Sequence, residues 1–492
     1  MATRSVKPTP RGKPSGVPFL ASLVDVAAAA GLHAPIIYGG VERKEYIVET
    51  MGCGCAFLDY DNDGWLDIFV LSGTRFASAP EGATNRLYKN NRDGTFSDVT
   101  AKAGLLRTGW PCGVCAGDYD NDGFDDVFIT YWGDNVLYHN NGDGTFTDVT
   151  KKAGVAANRT RWGAGCTWID YDRDGKLDLF VSNYLDFDIR RAQKPGENEN
   201  CRFKNIAVNC GPRGLPPGLH SLFRNNGDGT FTDVTKAAGI ADVTGHYGLT
   251  AVAADWDEDG WPDIFVECDS TASLLLINNH DGTFREEGIE RGAALSDDGI
   301  EQAGMGVGAG DYNLDSHLDI FKGHFTDDTN ALYRIDGKGN FNDVTLPAGL
   351  GVETRFTGWG AGIVDLDNDG DIDILIVNMN EPPSLLRNEL KGDNHWLKAL
   401  LVGSTSNRSA IGASVIATYG GRKQAQAVLA QSSYLSVNDR RLHYGLGRAT
   451  SADLEIRWPS GREEKIRSVA ADQLVVVREG SGIIRKDRFE RR

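Results

Sequence analysis

The sequence predicts an all-β chain: a six-bladed β-propeller closed by its N-terminal strand, followed by a small β-sandwich-like domain. Three observations predict it. An acidic nonapeptide, Asp-x-Asp-x-Asp-Gly-x-x-Asp in its fullest form, opens at Asp59, Asp118, Asp170, Asp255, Asp311 and Asp365. Apart from one interval lengthened by an insertion at 184–220, the period is about 55 residues, which suits a four-stranded blade. Finally, Leu23-Val24-Asp25-Val26-Ala27 at the N-terminus matches Phe96-Ser97-Asp98-Val99-Thr100, a strand that the sixth repeat lacks.

Taken in order, residues 1–18 form a basic, Pro-rich extension and 19–390 the propeller. In the first repeat the predicted strands are Gly52–Leu58, Leu66–Leu71, Arg86–Lys89 and Thr95–Thr100. Asn-Asn-x-Asp-Gly between the last two is a hairpin signal, so Asp93, Asp143, Asp228 and Asp281 read as turn formers. Glycine recurs five residues before each acidic loop (Gly54, Gly113, Gly165, Gly306, Gly360), with Thr250 the exception, which suits inner strands crowded near an axis. If the orphan N-terminal strand completes the sixth blade, no sheet edge stays free. A seventh, partial blade stays open if 184–220 forms one. Residues 391–479 alternate apolar positions with Gly pairs, predicting the sandwich-like module, and the short polar junction 389–393 suggests that it packs on the propeller. The basic segment 480–492 reads as a solvated tail.

The acidic loops are metal sites in chemical terms. Carboxylates at alternate positions of a tight turn, a carbonyl at position 7 and an Asp at position 9 gather hard oxygens that suit Ca²⁺, and no His or Cys invites zinc. The ligands would be Asp59, Asp61, Asp63, the Trp65 carbonyl and Asp67 in the first loop; Asp118, Asp120, Asp122, Phe124 and Asp126 in the second; and Asp170, Asp172, Asp174, Lys176 and Asp178 in the third. The fourth would use Asp255, Asp257, Asp259, Trp261 and Asp263, the fifth Asp311, Asn313, Asp315 and Asp319, and the sixth Asp365, Asp367, Asp369, Asp371 and Asp373. An EF-hand is excluded, because position 12 is apolar or Lys322 instead of Glu and no helices flank the loops. The fifth loop is the weakest, with Asn313 for a carboxylate and Ser316 for the Gly, so the expectation is five to six ions.

Of 492 residues, 40% are hydrophobic, enough for a core and against wholesale disorder. The net charge of -18 argues against nucleic acid as a partner. Six divalent ions would bring it to about -6, which weakens that exclusion. No apolar run is long enough to span a membrane, and no secretory signal stands out, so the expectation is either a leader removed before this numbering or a cytoplasmic protein. Of eight scattered cysteines, Cys201 and Cys210 in a Pro/Gly-rich loop are the disulfide candidate. Cys53, Cys55, Cys112, Cys115 and Cys166 fall near repeat register, as small buried fillers or as a thiol cluster for a soft metal or a disulfide.

Residues eight to ten positions before each loop should converge at the channel mouth opposite the calcium loops. Glu49, Trp110, Arg161, Trp162, His246, Tyr247, Glu301, Gln302 and Arg355 are the ligand-binding candidates there, set against a role as ordinary strand-end caps. His246, Glu301 and Arg355 are the catalytic candidates if the propeller is an enzyme.

Asp59-Tyr60-Asp61-Asn62-Asp63-Gly64-Trp65-Leu66-Asp67 and its relatives resemble the FG-GAP/VCBS repeats of calcium-binding propellers, related to those of integrin α-subunits. Residues 394–478 resemble the ASPIC/UnbV domain through Asn394-His395-Trp396-Leu397, Ser432-Ser433-Tyr434-Leu435-Ser436, His443-Tyr444-Gly445-Leu446-Gly447 and Arg457-Trp458-Pro459-Ser460-Gly461. The combination is similar to the cartilage-acidic-protein-like family. The resemblance implies an extracellular or periplasmic setting and a calcium-stabilised scaffold that recognises a glycan, a protein or a small organic ligand at the channel mouth. The alternative it leaves open is a propeller enzyme, a cyclase, lyase or hydrolase of secondary metabolism.

Overall fold

Each repeat folds into one antiparallel four-stranded sheet. The computed structural model describes residues 21–156, 162–351 and 356–489; the extension at 1–18, Arg161, Arg355 and the last three residues of the tail lie outside these. In the first blade Cys55–Leu58, Asp67–Val70, Arg86–Asn90 and Phe96–Asp98 pair in that order. The inner strands of the next five blades are Pro111–Gly117, Gly163–Ile169, Gly248–Ala254, Gly304–Gly310 and Gly362–Val364. The sixth sheet takes its outermost strand from the N-terminus: Leu23–Asp25 pairs antiparallel with Ser384–Asn388, Leu23 opposite Asn388. The insertion contributes only the two-stranded hairpin Arg202–Phe203 and Ile206–Ala207, so it makes no seventh blade.

Local chemistry explains the repeated turns and cores. At each hairpin tip an Asp side chain holds the turn, as where Asp93 Oδ1 accepts from Thr95 N and Oγ1 at 2.9 and 2.6 Å while Gly94 takes φ +88. Phe69, Phe128, Phe180 and Phe265 occupy one repeat position on the second strands, each at most 1% exposed between blades.

The C-terminal domain is two four-stranded sheets. One runs Leu442–Gly447, His395–Val402, Gln473–Arg478, Gly482–Asp487; the other Arg422–Ala427, Ser414–Tyr419, Ser451–Arg457, Glu463–Ala470. Trp458, Tyr444, Leu454 and Val475 are buried in the core they share with blades two and three. Gly482–Asp487 corrects the reading of a solvated tail: Ile483 and Ile484 join the sheet, and Arg485 and Lys486 charge its free edge.

Between Arg422–Ala427 and Leu442–Gly447 the chain leaves this domain and enters the propeller axis. There residues 431–438 hydrogen-bond to the inner strands of all six blades. Val437 N donates to Cys55 O at 2.8 Å and Val114 N to Leu435 O at 3.1 Å. Gln431 Oε1 accepts from Cys166 N and Ala251 N, both at 3.2 Å, and its Nε2 donates to Val114 O at 3.1 Å. Ser433 exchanges two backbone bonds with Val307 and its hydroxyl accepts from Ala361 N at 2.9 Å. These contacts give the glycines their reason. A Cβ on Gly54 would meet Leu435 O, one on Gly306 Trp359 O and Ser433 O, and one on Gly360 Ser433 Oγ. Thr250 breaks the glycine pattern because its hydroxyl accepts from Leu435 N at 3.3 Å and donates to Met305 O at 3.1 Å.

Candidate functional site

Each acidic loop joins an inner strand to its neighbour, and its own amides orient the carboxylates. In the first loop Asp59 accepts from Asp63 N and Gly64 N, both at 2.8 Å, Asp63 from Trp65 N at 3.0 Å, and Asp67 from Asn90 N at 2.8 Å. The second repeats this with Asp118, Asp122, Phe124 and Asp126. In the third and fourth, Asp174 and Asp259 accept from Lys176 N and Trp261 N, and Asp178 and Asp263 from Asn225 N and Asn278 N. In the sixth, Asp365, Asp369 and Asp373 accept from Gly370 N, Asp371 N and Asn388 N. The fifth keeps these bonds, Asp311 accepting from Asp315 N and Ser316 N, Asp315 from His317 N and Asp319 from Ile335 N, but Asn313 also donates to Asp315 Oδ2 at 2.7 Å, and Ser316 takes φ +79 where the other loops have Gly at +83 to +103.

The donor set fits a hard cation. Oxygens of Asp59, Asp61 and Asp67 lie within 4.8 Å of one another, as do those of Asp118, Asp120 and Asp122, of Asp170, Asp172 and Asp178, and of Asp255, Asp257 and Asp259. Among the described residues the buried Oδ1 atoms of Asp61, Asp172, Asp255, Asp257 and Asp365 have no partner, which is costly unless something positive meets them. Burial, reinforced by neighbouring carboxylates, pushes Asp67 and Asp126 up to about 8, Asp118, Asp170 and Asp373 to about 7, and Asp59 and Asp255 to about 6, against opposing backbone N–H bonds. Full ionisation at neutral pH therefore calls for a cation in the cluster.

Sequence reasoning missed a set of basic residues facing the loops. Lys89 reaches Asp61 and, at 3.0 Å, Asp63; His139 lies 3.2 Å from Asp126; Arg224 donates to Asp172 at 2.7 Å. All three hold one repeat position, the residue between an aromatic and Asn in Leu87-Tyr88-Lys89-Asn90, Leu137-Tyr138-His139-Asn140 and Leu222-Phe223-Arg224-Asn225, so the signal was legible there. The C-terminal domain adds others. Lys398 sits 2.7 Å from Asp365 with both side chains fully buried, Arg457 3.4 Å from Asp255, and Arg440 against Asp125. The domain thus caps the loop face of the propeller.

At the opposite mouth most of the candidate residues have other engagements. Glu49 is buried and accepts from Gly40 N, Glu45 N and Tyr46 N. Trp110 packs on Tyr38 and Phe76, Trp162 donates to Cys112 Sγ at 2.9 Å, and Gln302 to Asp328 at 3.1 Å. His246 Nδ1 meets Ala272 O at 2.9 Å, Glu301 pairs with Arg213 at 2.7 Å, and Tyr247 donates to Leu215 O at 3.0 Å. The insertion explains much of this: Phe187 meets Trp132 edge-on and Trp162 at a tilt, Arg213 and Leu215 reach over blades four and five, and the Cys201–Cys210 disulfide pins it. The other six cysteines are buried and unpaired; burial raises Cys55 and Cys112 to about 11, so their thiols stay protonated.

What stays open is a cavity of about 760 Å³ between blades one and six, lined by Tyr38, Met51, Trp359, Met379, Glu381 and Tyr434. Tyr434, from the axial segment, closes its channel end and donates to Met51 O at 2.9 Å. Of these, only Tyr434 drew notice in the sequence, as part of a motif.

Comparison with known proteins agrees with the repeat reading. The FG-GAP-like repeat model matches residues 59–129, 118–181, 217–266, 255–322 and 311–376, and the ASPIC and UnbV model matches 403–484. Cartilage acidic protein 1 of Mus musculus is 26% identical over 475 residues, 86% of this chain and 72% of that protein. The Homo sapiens protein of that name is 27% identical over 267 residues, 52% of this chain and 39% of its own. Among solved structures, an α-L-arabinanase of Penicillium chrysogenum complexed with arabinobiose is 11% identical at TM-score 0.38, covering 75% of this chain and 100% of that one. A Trypanosoma rangeli sialidase in complex with sialic acid is 10% identical at TM-score 0.39, covering 76% and 59%. No helix among the described residues is long and apolar enough to cross a membrane. The repeat matches span more than half of the chain, which therefore belongs to the FG-GAP-like repeat family and carries an ASPIC and UnbV domain.

Proposed function

We propose that the protein is a calcium-stabilised binding scaffold that takes a small organic ligand at the channel mouth opposite the acidic loops. The blind cavity carries this reading: its volume lies in the range of roughly 300–1,000 Å³ typical of ligand clefts, and its walls are mainly apolar and aromatic. In the loops, five or six Ca²⁺ would be held by the carboxylates named above, Asp61 Oδ1 and its unpartnered counterparts supplying free lone pairs. The ions would neutralise the clusters and fix the ends of the inner strands; Lys89, His139 and Arg224 hold part of that charge from the protein's side. An extracellular setting suits both the disulfide and weak calcium sites.

An enzyme reading gains no comparable support, because His246 and Glu301 engage separate partners. The test is a fragment screen by ligand-observed NMR in calcium buffer, with Trp359→Leu as the site variant. Hits lost in that variant support the mouth as the site, whereas hits that all survive it, or none at all, count against it.

A further inference from the structure

Resting on the mouth as a binding site, we propose that the cavity between blades one and six recognises an organic cation without hydrogen-bond donors on its charged centre, a quaternary or fully alkylated ammonium. The lining contains three aromatic rings, two thioethers and one carboxylate, and no Lys, Arg or His among the described residues. Tyr38 lines the cavity but is fully buried, so the ring faces a ligand can reach are those of Trp359 and Tyr434, which stand 4.8 Å apart at 66° and form two walls of a corner beside Met51. Ring faces of this kind attract a cation through their quadrupole, and an alkylated ammonium gains most because it is weakly hydrated.

The polar groups narrow the choice further. Tyr434 spends its hydroxyl on Met51 O and Tyr38 its own on Pro111 O at 2.9 Å. The Asn378 amide donates to Pro382 O at 3.0 Å and Ser384 Oγ at 3.1 Å, using both hydrogens. A sugar or a carboxylate entering here would find few donors and lose hydration without repayment. Glu381 is exposed at the rim, and among the described residues no hydrogen bond or ion pair engages its carboxylate, so it supplies the complementary charge.

The probe pair is choline against its neutral isostere 3,3-dimethylbutan-1-ol, titrated into the full chain in calcium buffer and followed by saturation-transfer NMR. Choline should bind at least about tenfold more tightly than the isostere. Trp359→Leu, which keeps apolar bulk and removes the ring, should abolish that preference, and Glu381→Gln should weaken choline severalfold while leaving the isostere unchanged. The thermal transition of each variant checks that it folds. Equal binding of both probes, lost together in Trp359→Leu, would overturn the cation and leave the mouth site standing. No choline binding at tens of millimolar would also overturn the cation, with the fragment screen then deciding the mouth separately.

Discussion

Replacing Gln431 with methionine tests whether the axial segment holds the propeller together. Met preserves the volume and removes every hydrogen bond. Three buried backbone groups would lose their partner at once: Cys166 N–H, Ala251 N–H and Val114 C=O, in blades three, four and two. A buried group left unsatisfied costs about 1–3 kcal/mol, so the three together cost about 3–9 kcal/mol. That is a large share of the roughly 5–15 kcal/mol of a folded domain. Heat is a poor readout, since 1 kcal/mol moves the transition by no more than about 2–4 °C in a chain of this size. Urea unfolding in calcium buffer, followed by tryptophan fluorescence, is the better one. The midpoint should fall with the slope unchanged, and the curve should stay a single transition because the segment joins both domains. A loss below about 1 kcal/mol would refute the reasoning, as would a wild-type curve with two separate steps.

Three further outcomes follow from the same geometry. Calcium removal should lower the melting temperature, and more at pH 8 than at pH 5: the cluster carboxylates have folded values raised by burial to about 6–8, so the metal-free protein is most stable below their unfolded value of about 4 and loses that stability as pH rises through the raised range. Equal chelation effects at both pH values in differential scanning calorimetry would sink this. Glu479→Gln should cost about 2 kcal/mol at pH 7 and little near pH 2; burial raises this carboxyl, but the Ser460 hydroxyl and the amides of Ser404, Thr405 and Ser406 hold it down at about 2, so its contribution is present above about 4.3 and disappears as pH falls towards 2. Urea midpoints at the two pH values check it. Gly308→Leu should stabilise by about 1 kcal/mol, because a Cβ there meets nothing within 4 Å and the new side chain enters an open cleft between blades five and six, where Phe321 is 39% exposed while its counterparts are buried; a lower urea midpoint would contradict it.

The blades were legible because their signals are local and repeated. The acidic loops recur six times at a period of about 55 residues, and the Asp-Gly tips of the first four repeats reinforce them. The orphan strand at Leu23 was legible as a missing copy, and its pairing with Ser384–Asn388 follows that reading. The axial segment was not. Ser432–Ser436 could be recognised as a motif, but its contacts with Cys55, Val114 and Val307 span roughly 130–380 residues of sequence, and no periodicity encodes a single non-repeating loop. The glycines at Gly54, Gly306 and Gly360 recorded its presence indirectly, as room reserved for a backbone whose origin they do not name. The mouth was half legible for a similar reason: Trp110, Trp162 and Tyr247 do gather on that side, yet whether Phe187 and Leu215 fold back over them depends on an insertion without repeat partners.

The axial segment also changes what calcium can do for a ligand. With residues 431–438 bonded to every inner strand, the segment fills the axis between loop face and mouth. The two faces can communicate only through the strands and the segment itself. Asp59 and Met51 lie at opposite ends of one short inner-strand run, and Tyr434, which floors the cavity, belongs to the domain whose Lys398 rests on Asp365. A cation in the sixth loop would draw on the carboxylate that Lys398 also holds, and so bear on how that domain is seated. Any influence of bound calcium on the mouth would therefore be indirect, through the placement of Met51 and Tyr434, and reciprocal: whatever factor calcium adds to ligand affinity, the ligand adds to calcium affinity.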